Sequence, residues 1–222
     1  FLALVGASFS LIPYASRAET KVTATVPNKI RVPRKSHPIV PPGGVSLYHF
    51  TNTCTACHAC VAHCPAHVLQ PSLTEYGLNG LFMPHLDPNA GFCNLNCNQC
   101  GRVCPTGALT SFSLEEKKQM QLGVVKFIRE NCIVVLQGTD CGACSEHCPT
   151  KAVTMVTEGR VRVPRVNETI CLGCGACEHV CPAKPNKAIY IEPHAVHQVA
   201  EAPPENKLEK GAAAKELEDF PF

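Results

Sequence analysis

Residues 54–65 read CTACHACVAHCP, and the string admits two cofactor chemistries. Cys54-Thr55-Ala56-Cys57-His58 spells C-x-x-C-H, the signature of a covalently attached c-type haem. Read on through Cys60, Cys64 and Pro65, the same stretch becomes C-x-x-C-x-x-C-x-x-x-C-P, a spacing with which thiolates surround an iron–sulfur cube.

Repetition weighs between them. Cysteine returns as Cys93, Cys97, Cys100, Cys104, then as Cys132, Cys141, Cys144, Cys148, and finally as Cys171, Cys174, Cys177, Cys181. Each group, like the first, ends in Cys-Pro, at Pro65, Pro105, Pro149 and Pro182, so the chain is an internal repeat. His58 aligns with Asn98, Gly142 and Gly175, so its position carries no ligand in the other groups. A haem at the first group would also leave Cys60 and Cys64 without a role. Zinc takes four thiolates too, but its knuckles lack a third cysteine at the same interval. Disulfides would suit an even count of 16, yet cysteines this close in sequence pair poorly by geometry. The spacing therefore favours iron and sulfide over both rivals.

The totals agree. A chain of 222 residues with 19 Pro, 15 Gly, no Trp and 6% aromatics has little ordinary core, and inorganic cofactors or disulfides must supply cohesion. No basic run interleaved with aromatics appears, so nucleic acid is not an expected partner. No Gly-rich nucleotide loop, catalytic triad pattern or H-E-x-x-H string appears, so the expectation is a protein without its own substrate site. Four thiolates per cube leave no open iron, which points to electron transfer instead.

Groups one and two resemble a two-cluster bacterial ferredoxin, and groups three and four resemble another. The resemblance implies an α+β fold of two tandem dicluster ferredoxin-like modules holding four [4Fe–4S] clusters. It also implies crossed ligation, in which the Cys-Pro cysteine serves the neighbouring cube. Cys54, Cys57, Cys60 and Cys104 would then form one set, with Cys93, Cys97, Cys100 and Cys64 the next. Cys132, Cys141, Cys144 and Cys181 would form the third, with Cys171, Cys174, Cys177 and Cys148 the fourth. Two departures stand out. Asn94-Leu95-Asn96 puts an extra residue into group two, and IVVLQGTD separates Cys132 from Cys141, making Cys132 the least secure ligand. That insertion would either shield a cluster or face a partner. Small residues beside the cysteines, Gly142-Ala143, Gly173 and Gly175-Ala176, would let backbone N–H groups reach the sulfurs. Arg102, Lys151, Arg160, Arg162 and Arg165 are candidate local counter-charges.

The wider chain resembles the ferredoxin-type proteins of the NapG/MauM group over most of residues 40–192. An apolar start, a Pro41-Pro42-Gly43 arm and four cluster motifs carry that likeness. Residues 1–18 are expected to be a membrane anchor helix or uncleaved signal segment, with a packed internal helix as the rival reading of the apolar 1–14. Residues 19–48 read as an extended Pro-rich arm, either a spacer or a strip docked on a partner. Residues 49–112 read as the first 2[4Fe–4S] module and 126–192 as the second. Ser113 and Glu116 form a capping box that opens a connecting helix assigned to 113–125. Residues 193–222 read as an extended tail, ordered only against a partner. Short strands are predicted after each Cys-Pro, at Val68-Leu69, Ala108-Leu109, Ala152-Val153 and Ala188-Ile189-Tyr190.

These expectations combine into an electron-transfer subunit that relays electrons inside a membrane-associated respiratory complex. Its partners would be a quinone-linked membrane subunit and other redox subunits, of haem or molybdenum type. The alternative is an accessory protein for maturation or activation of a periplasmic redox enzyme. The resemblance favours the periplasmic side. Arg17, Lys21, Lys29, Arg31 and Arg34 after the apolar segment favour the cytoplasmic side by the positive-inside tendency.

Overall fold

The structure, a computed structural model, describes residues 30–202. The expected anchor at 1–18, the arm up to 29 and the tail from 203 lie outside the described residues. Among the described residues no helix is long and apolar enough to cross a membrane.

One local unit recurs four times. In α2 (Ala59–Ala62), α3 (Gln99–Val103), α6 (Ala143–Glu146) and α7 (Ala176–His179), the third cysteine of each group is the second helical residue. Each helix stops at the Cys-Pro, because a residue before proline is pushed out of the helical region and proline cannot continue the ladder. The loop before the helix is tight. His58 enters α2 at φ 60° and Gly175 enters α7 at φ 84°, so histidine adopts at one repeat the left-handed turn that glycine makes at another.

The remaining helices are α1 (Leu47–Thr53), capped by Ser46, α4 (Leu114–Lys117) and α5 (Ile133–Gln137). The capping box is present, since the Ser113 hydroxyl accepts from Glu116 N and the Glu116 carboxylate accepts from Ser113 N. The helix it opens is shorter than 113–125, because Met120 already begins a strand. Gln121 and Val125 are buried there by sheet pairing, which overrides the helix-forming run before them.

Among the described residues three two-stranded antiparallel sheets form: β1 (Leu69–Pro71) with β2 (Pro84–Leu86), β3 (Met120–Phe127) with β6 (Ile189–Val199), and β4 (Val153–Glu158) with β5 (Val161–Val166). Strands thus follow three of the four Cys-Pro pairs; Ala108-Leu109 is buried but stays irregular. β6 alternates as a half-buried strand should, with Ile189, Ile191 and Pro193 turned inward. It runs on to Val199, so 193–199 is a strand paired within the chain, and this part of the extended tail is ordered without a partner. β3 supplies the missing partner, pairing Met120 with Val199 and Gln121 with Gln198 beyond an irregularity at Leu122. At that irregularity Leu122 N donates instead to the Leu172 carbonyl.

The arm also packs on the chain itself. Ile39, Val40, Pro41 and Pro42 are fully buried, and Leu86 N donates to the Ile39 carbonyl. Gly43, at φ 86°, lies so near Thr110 O that a Cβ would sit 2.5 Å from it. Farther along, His197 N donates to the Val45 carbonyl, while upstream Asn131 exchanges hydrogen bonds with the backbone of Arg31. Residues 31–46 therefore bind elements on both sides of residue 113.

The core is small: Ile39, Val40, Phe50, Val68, Leu86, Val125, Val134, Val153, Ile189 and Ile191 are its largest fully buried members besides Pro41 and Pro42. Cys60, Cys64, Cys132, Cys148, Cys171, Cys177 and Cys181 belong to the same apolar cluster. Sulfur occupies the places that bulkier side chains fill in other domains.

Candidate metal centres

The thiols gather in sets drawn from two groups each. Cys54, Cys57, Cys60 and Cys104 line one cavity with Phe50, Pro84 and Leu109. Cys64, Cys93, Cys97 and Cys100 line a second with Pro42, Val68, Leu69 and Lys117. Cys132, Cys141, Cys144 and Cys181 line a third with Phe127, Ile133, Val134 and Ile189. The space between atoms at these three sites, open solvent included, is ≈ 300, ≈ 370 and ≈ 370 Å³. Cys148, Cys171, Cys174 and Cys177 remain as the candidate fourth set, and they lie near enough to influence one another. Burial pushes Cys171 up to about 11 and Cys174 up to about 12, and raises Cys177 further; the nearby Cys148 adds to all three.

These surroundings suit a four-iron cube. Four thiols ring an apolar space, and the cube's corners lie apart. The same apolar walls push Cys60, Cys100 and Cys144 up to about 12, so bound iron must supply the positive charge that turns them into thiolates. Cys104 behaves differently: burial raises it, but N–H donation from Leu109 and contacts with Thr106 hold it below the ordinary thiol value. Backbone donors do reach sulfur, as Ala56 N to Cys54 and Gly173 N to Cys171, both at 3.4 Å.

Both departures from the repeat have local explanations. Asn96 N donates to Asn94 Oδ1, a side-chain turn that absorbs the extra residue in group two. The insertion after Cys132 folds as α5 and ends on Gly138 at φ 66°. Its Ile133 and Val134 wall the third cavity, and Cys132 stays on that wall. His58 lies beside the first cavity, and its Nε2 hydrogen-bonds the Phe82 carbonyl.

Spacing gave no sign of Lys117. The four-residue α4 carries it under Phe112, 4% exposed, with Nζ 3.1 Å from Cys93 Sγ and 5.5 Å from the ring centroid. Arg162, by contrast, pairs with Asp140 at the surface.

The sets adjoin one another. Cys60 is raised by burial and then by Cys100, which links the first set to the second; Cys144 contributes to Cys177, linking the third to the fourth. Between the halves, Cys93 N donates to the Cys174 carbonyl at 2.9 Å. Glycine makes that approach close, since a Cβ on Gly175 would meet the Pro88 ring at 3.2 Å and Leu86 Cδ2 at 3.4 Å.

Repeated cysteine units of this shape define an iron–sulfur protein of the ferredoxin type, and comparison with known families agrees. Two family models, both described as "4Fe-4S dicluster domain", match residues 53–109 and residues 92–152 and 137–184. Together they run from 53 to 184, more than half of the chain, which therefore belongs to the 4Fe–4S dicluster ferredoxins of electron transport. Its sixteen cysteines fit four [4Fe–4S] clusters.

More narrowly, it is similar to ferredoxin-type protein NapG of Escherichia coli (strain K12), 31% identical over 145 residues, 60% of this chain and 61% of that one. It is also similar to methylamine utilization ferredoxin-type protein MauM of Paracoccus denitrificans, 30% identical over 150 residues, 64% of this chain and 65% of that one. The chain thus spans less than two thirds of the length of these relatives. A chain of a formate dehydrogenase–heterodisulfide reductase–formylmethanofuran dehydrogenase complex from Methanospirillum hungatei overlays 72% of this chain at a TM-score of 0.28 and 22% identity, covering 53% of that chain.

Proposed function

We propose that the chain is a four-cluster electron relay in which the four thiol sets are the ligand sets and the halves exchange electrons at the Cys93–Cys174 contact. A bound [4Fe–4S] cluster takes up and gives up one electron at a time. The protein's part is to hold each cube by four thiolates, wall it with Val, Leu and Ile, and set the distances between neighbours. The hydrogen bond from Cys93 N to the Cys174 carbonyl carries this reading, because it joins the second set to the fourth. With the first set beside the second and the third beside the fourth, the order along the relay is first, second, fourth, third, which differs from the order in the sequence.

In this reading the relay serves a membrane-associated respiratory assembly, between a quinone-linked membrane subunit and another redox subunit, on the periplasmic side. Support comes from the apolar residues 1–14 and from the similarity to NapG and MauM. No iron is left open for a substrate, so the chain acts within an oxidoreductase without a reaction of its own.

Anaerobic isolation of the native assembly tests this. The expected result is about sixteen iron and about sixteen acid-labile sulfide per chain, with spin coupling between reduced clusters. Fixed stoichiometry with a quinone-linked membrane subunit is expected as well. About four zinc, a single covalent haem, or thiols bridged to one another would overturn the cluster reading. Transient association with an enzyme only during its assembly would replace the relay with the accessory role.

A further inference from the structure

Lys117 is an expensive residue to place where it sits. A lysine 4% exposed has given up most of its hydration, and such burial is tolerated when a negative partner answers it. That partner is Cys93 Sγ, 3.1 Å away, in the second thiol set. Phe112 covers the ammonium from another side, 5.5 Å from Nζ to the ring centroid. Ser113 and Glu116 fix the first turn of α4 and so fix where Lys117 points. Among the described residues no other cysteine sulfur receives a charged donor. Lys187, the nearest comparison, spends its ammonium on the carbonyls of His179 and Cys181.

We infer that Lys117 raises the reduction potential of the cluster held by Cys64, Cys93, Cys97 and Cys100 relative to the potential it would have without that ammonium. Adding one electron to a cube ringed by four thiolates makes an anionic group more anionic. A fixed positive charge at hydrogen-bond distance, in a wall of Pro, Val and Leu with little water to screen it, stabilises that reduced state most. The consequence is specific to position. The second set borders both the first set and the fourth, so an electron-accepting step there would hold charge at the junction between the halves.

This inference rests on the four-cluster reading, and its test separates the two. Reductive titrations of the loaded protein, followed by electron paramagnetic resonance, are run on wild type, Lys117→Met, Lys117→Gln and Lys117→Arg, each with iron and sulfide counted first. Wild type with far fewer than about sixteen iron would remove the four-cluster reading itself. With full loading, one cluster of Lys117→Met and Lys117→Gln is expected to show a reduced-to-oxidised ratio at least tenfold lower at the potential where it is half reduced in wild type, which is 59 mV for a one-electron couple. The other clusters stay in place, the shifted signal is the one missing from Cys64→Ala/Cys93→Ala, and Lys117→Arg recovers most of the loss. Unshifted titrations in fully loaded neutral variants would overturn the inference. Loss of about four iron from both neutral variants would overturn it too, by making Lys117 a structural support only.

Discussion

Cys93 and Cys174, 81 residues apart, share a backbone hydrogen bond of 2.9 Å, from the amide of one to the carbonyl of the other. Each is also a wall of its own thiol set, and burial of Cys174 is reinforced by the charge of Cys93. A glycine beside it keeps the approach close: Gly175 lies against the Pro88 ring and Leu86, where a Cβ would be 3.2 Å from Pro88 Cγ. Two repeats that could have been separate beads are thereby in register with one another.

Crossed ligation can be read by counting lesions. Cys64 lines a cavity with Cys93, while Cys60, four residues from it, lines another with Cys104. Cys64→Ala/Cys93→Ala should therefore damage one cluster and leave about three intact four-iron clusters, whereas Cys60→Ala/Cys64→Ala should damage two and leave about two. Mössbauer spectra of iron-57 protein make the count. The reverse pattern would mean that each group closes its own cube.

Gly173→Ala should force the loop after Cys171 away from β3. Its φ of 71° strains any side chain, and the new Cβ would lie 2.6 Å from Gly123 N and 2.8 Å from Gly123 O, backbone atoms that cannot swing away. Gly159 has a similar φ of 63° in the β4–β5 turn with nothing within 4 Å. Gly159→Ala should cost about 1 kcal/mol of conformational strain, and Gly173→Ala about 1–3 kcal/mol more from overpacking. Guanidinium midpoints of the loaded proteins under argon measure both. Equal losses would show that the approach at Gly123 is not tight.

The arm should be worth measurable stability through one ion pair. Glu178 lies on α7, its side chain 7% exposed; one carboxylate oxygen accepts from Ile191 N at 2.9 Å and the other from Lys35 Nζ at 2.7 Å. Lys35→Met strands a buried carboxylate and should cost about 1–3 kcal/mol. Lys35→Met/Glu178→Gln should recover part of that, because a neutral side chain can still accept from Ile191 without needing a cation. A double variant no better than the single one would mean the pairing with Lys35 contributes little.

The sequence announces what repeats and hides what is pairwise. Sixteen thiols, the helix-ending Cys-Pro and the Ser113 capping box are local signals, each readable within a few residues. The end of α4 is not local: Met120 leaves the helix because β6 offers it Val199, from the far end of the chain. The same pairing turns 193–199 from a polar, core-poor string into a strand. Proline in the arm looks like exposed spacer, yet Pro41 and Pro42 are fully buried, and Pro42 lines the second thiol site. Lys117 was illegible for a related reason. Nothing in LEEKK tells which lysine faces inward until Phe112 and Cys93 are in place.

A half-buried histidine with both ring nitrogens covered should leave a mark on the pH dependence of stability. His197 lies in β6, neither ring nitrogen has a hydrogen-bond partner among the described residues, and its pKa falls from 6.5 to about 4. Burial is the main cause and the ammonium of Lys117 adds to it. The backbone of Val40 opposes, at a contact short of hydrogen-bond geometry, and His194 and His37 lower it slightly further. The folded chain thus refuses a proton that the unfolded chain accepts. His197 therefore contributes no penalty above about pH 6.5, and stability is lost progressively as pH falls from there to about 4. From about pH 7.5 to about pH 5.5, a range chosen to spare the clusters, the loss from this one group should be about 1 kcal/mol. Other histidines titrate in the same window, so the measurement is a difference: guanidinium midpoints of wild type and His197→Leu at both pH values. Leucine removes the titrating ring and both unpartnered nitrogens, so the variant should lose about 1 kcal/mol less than wild type over that interval. Parallel losses in the two proteins would show that His197 takes up its proton in the fold as readily as in the unfolded chain.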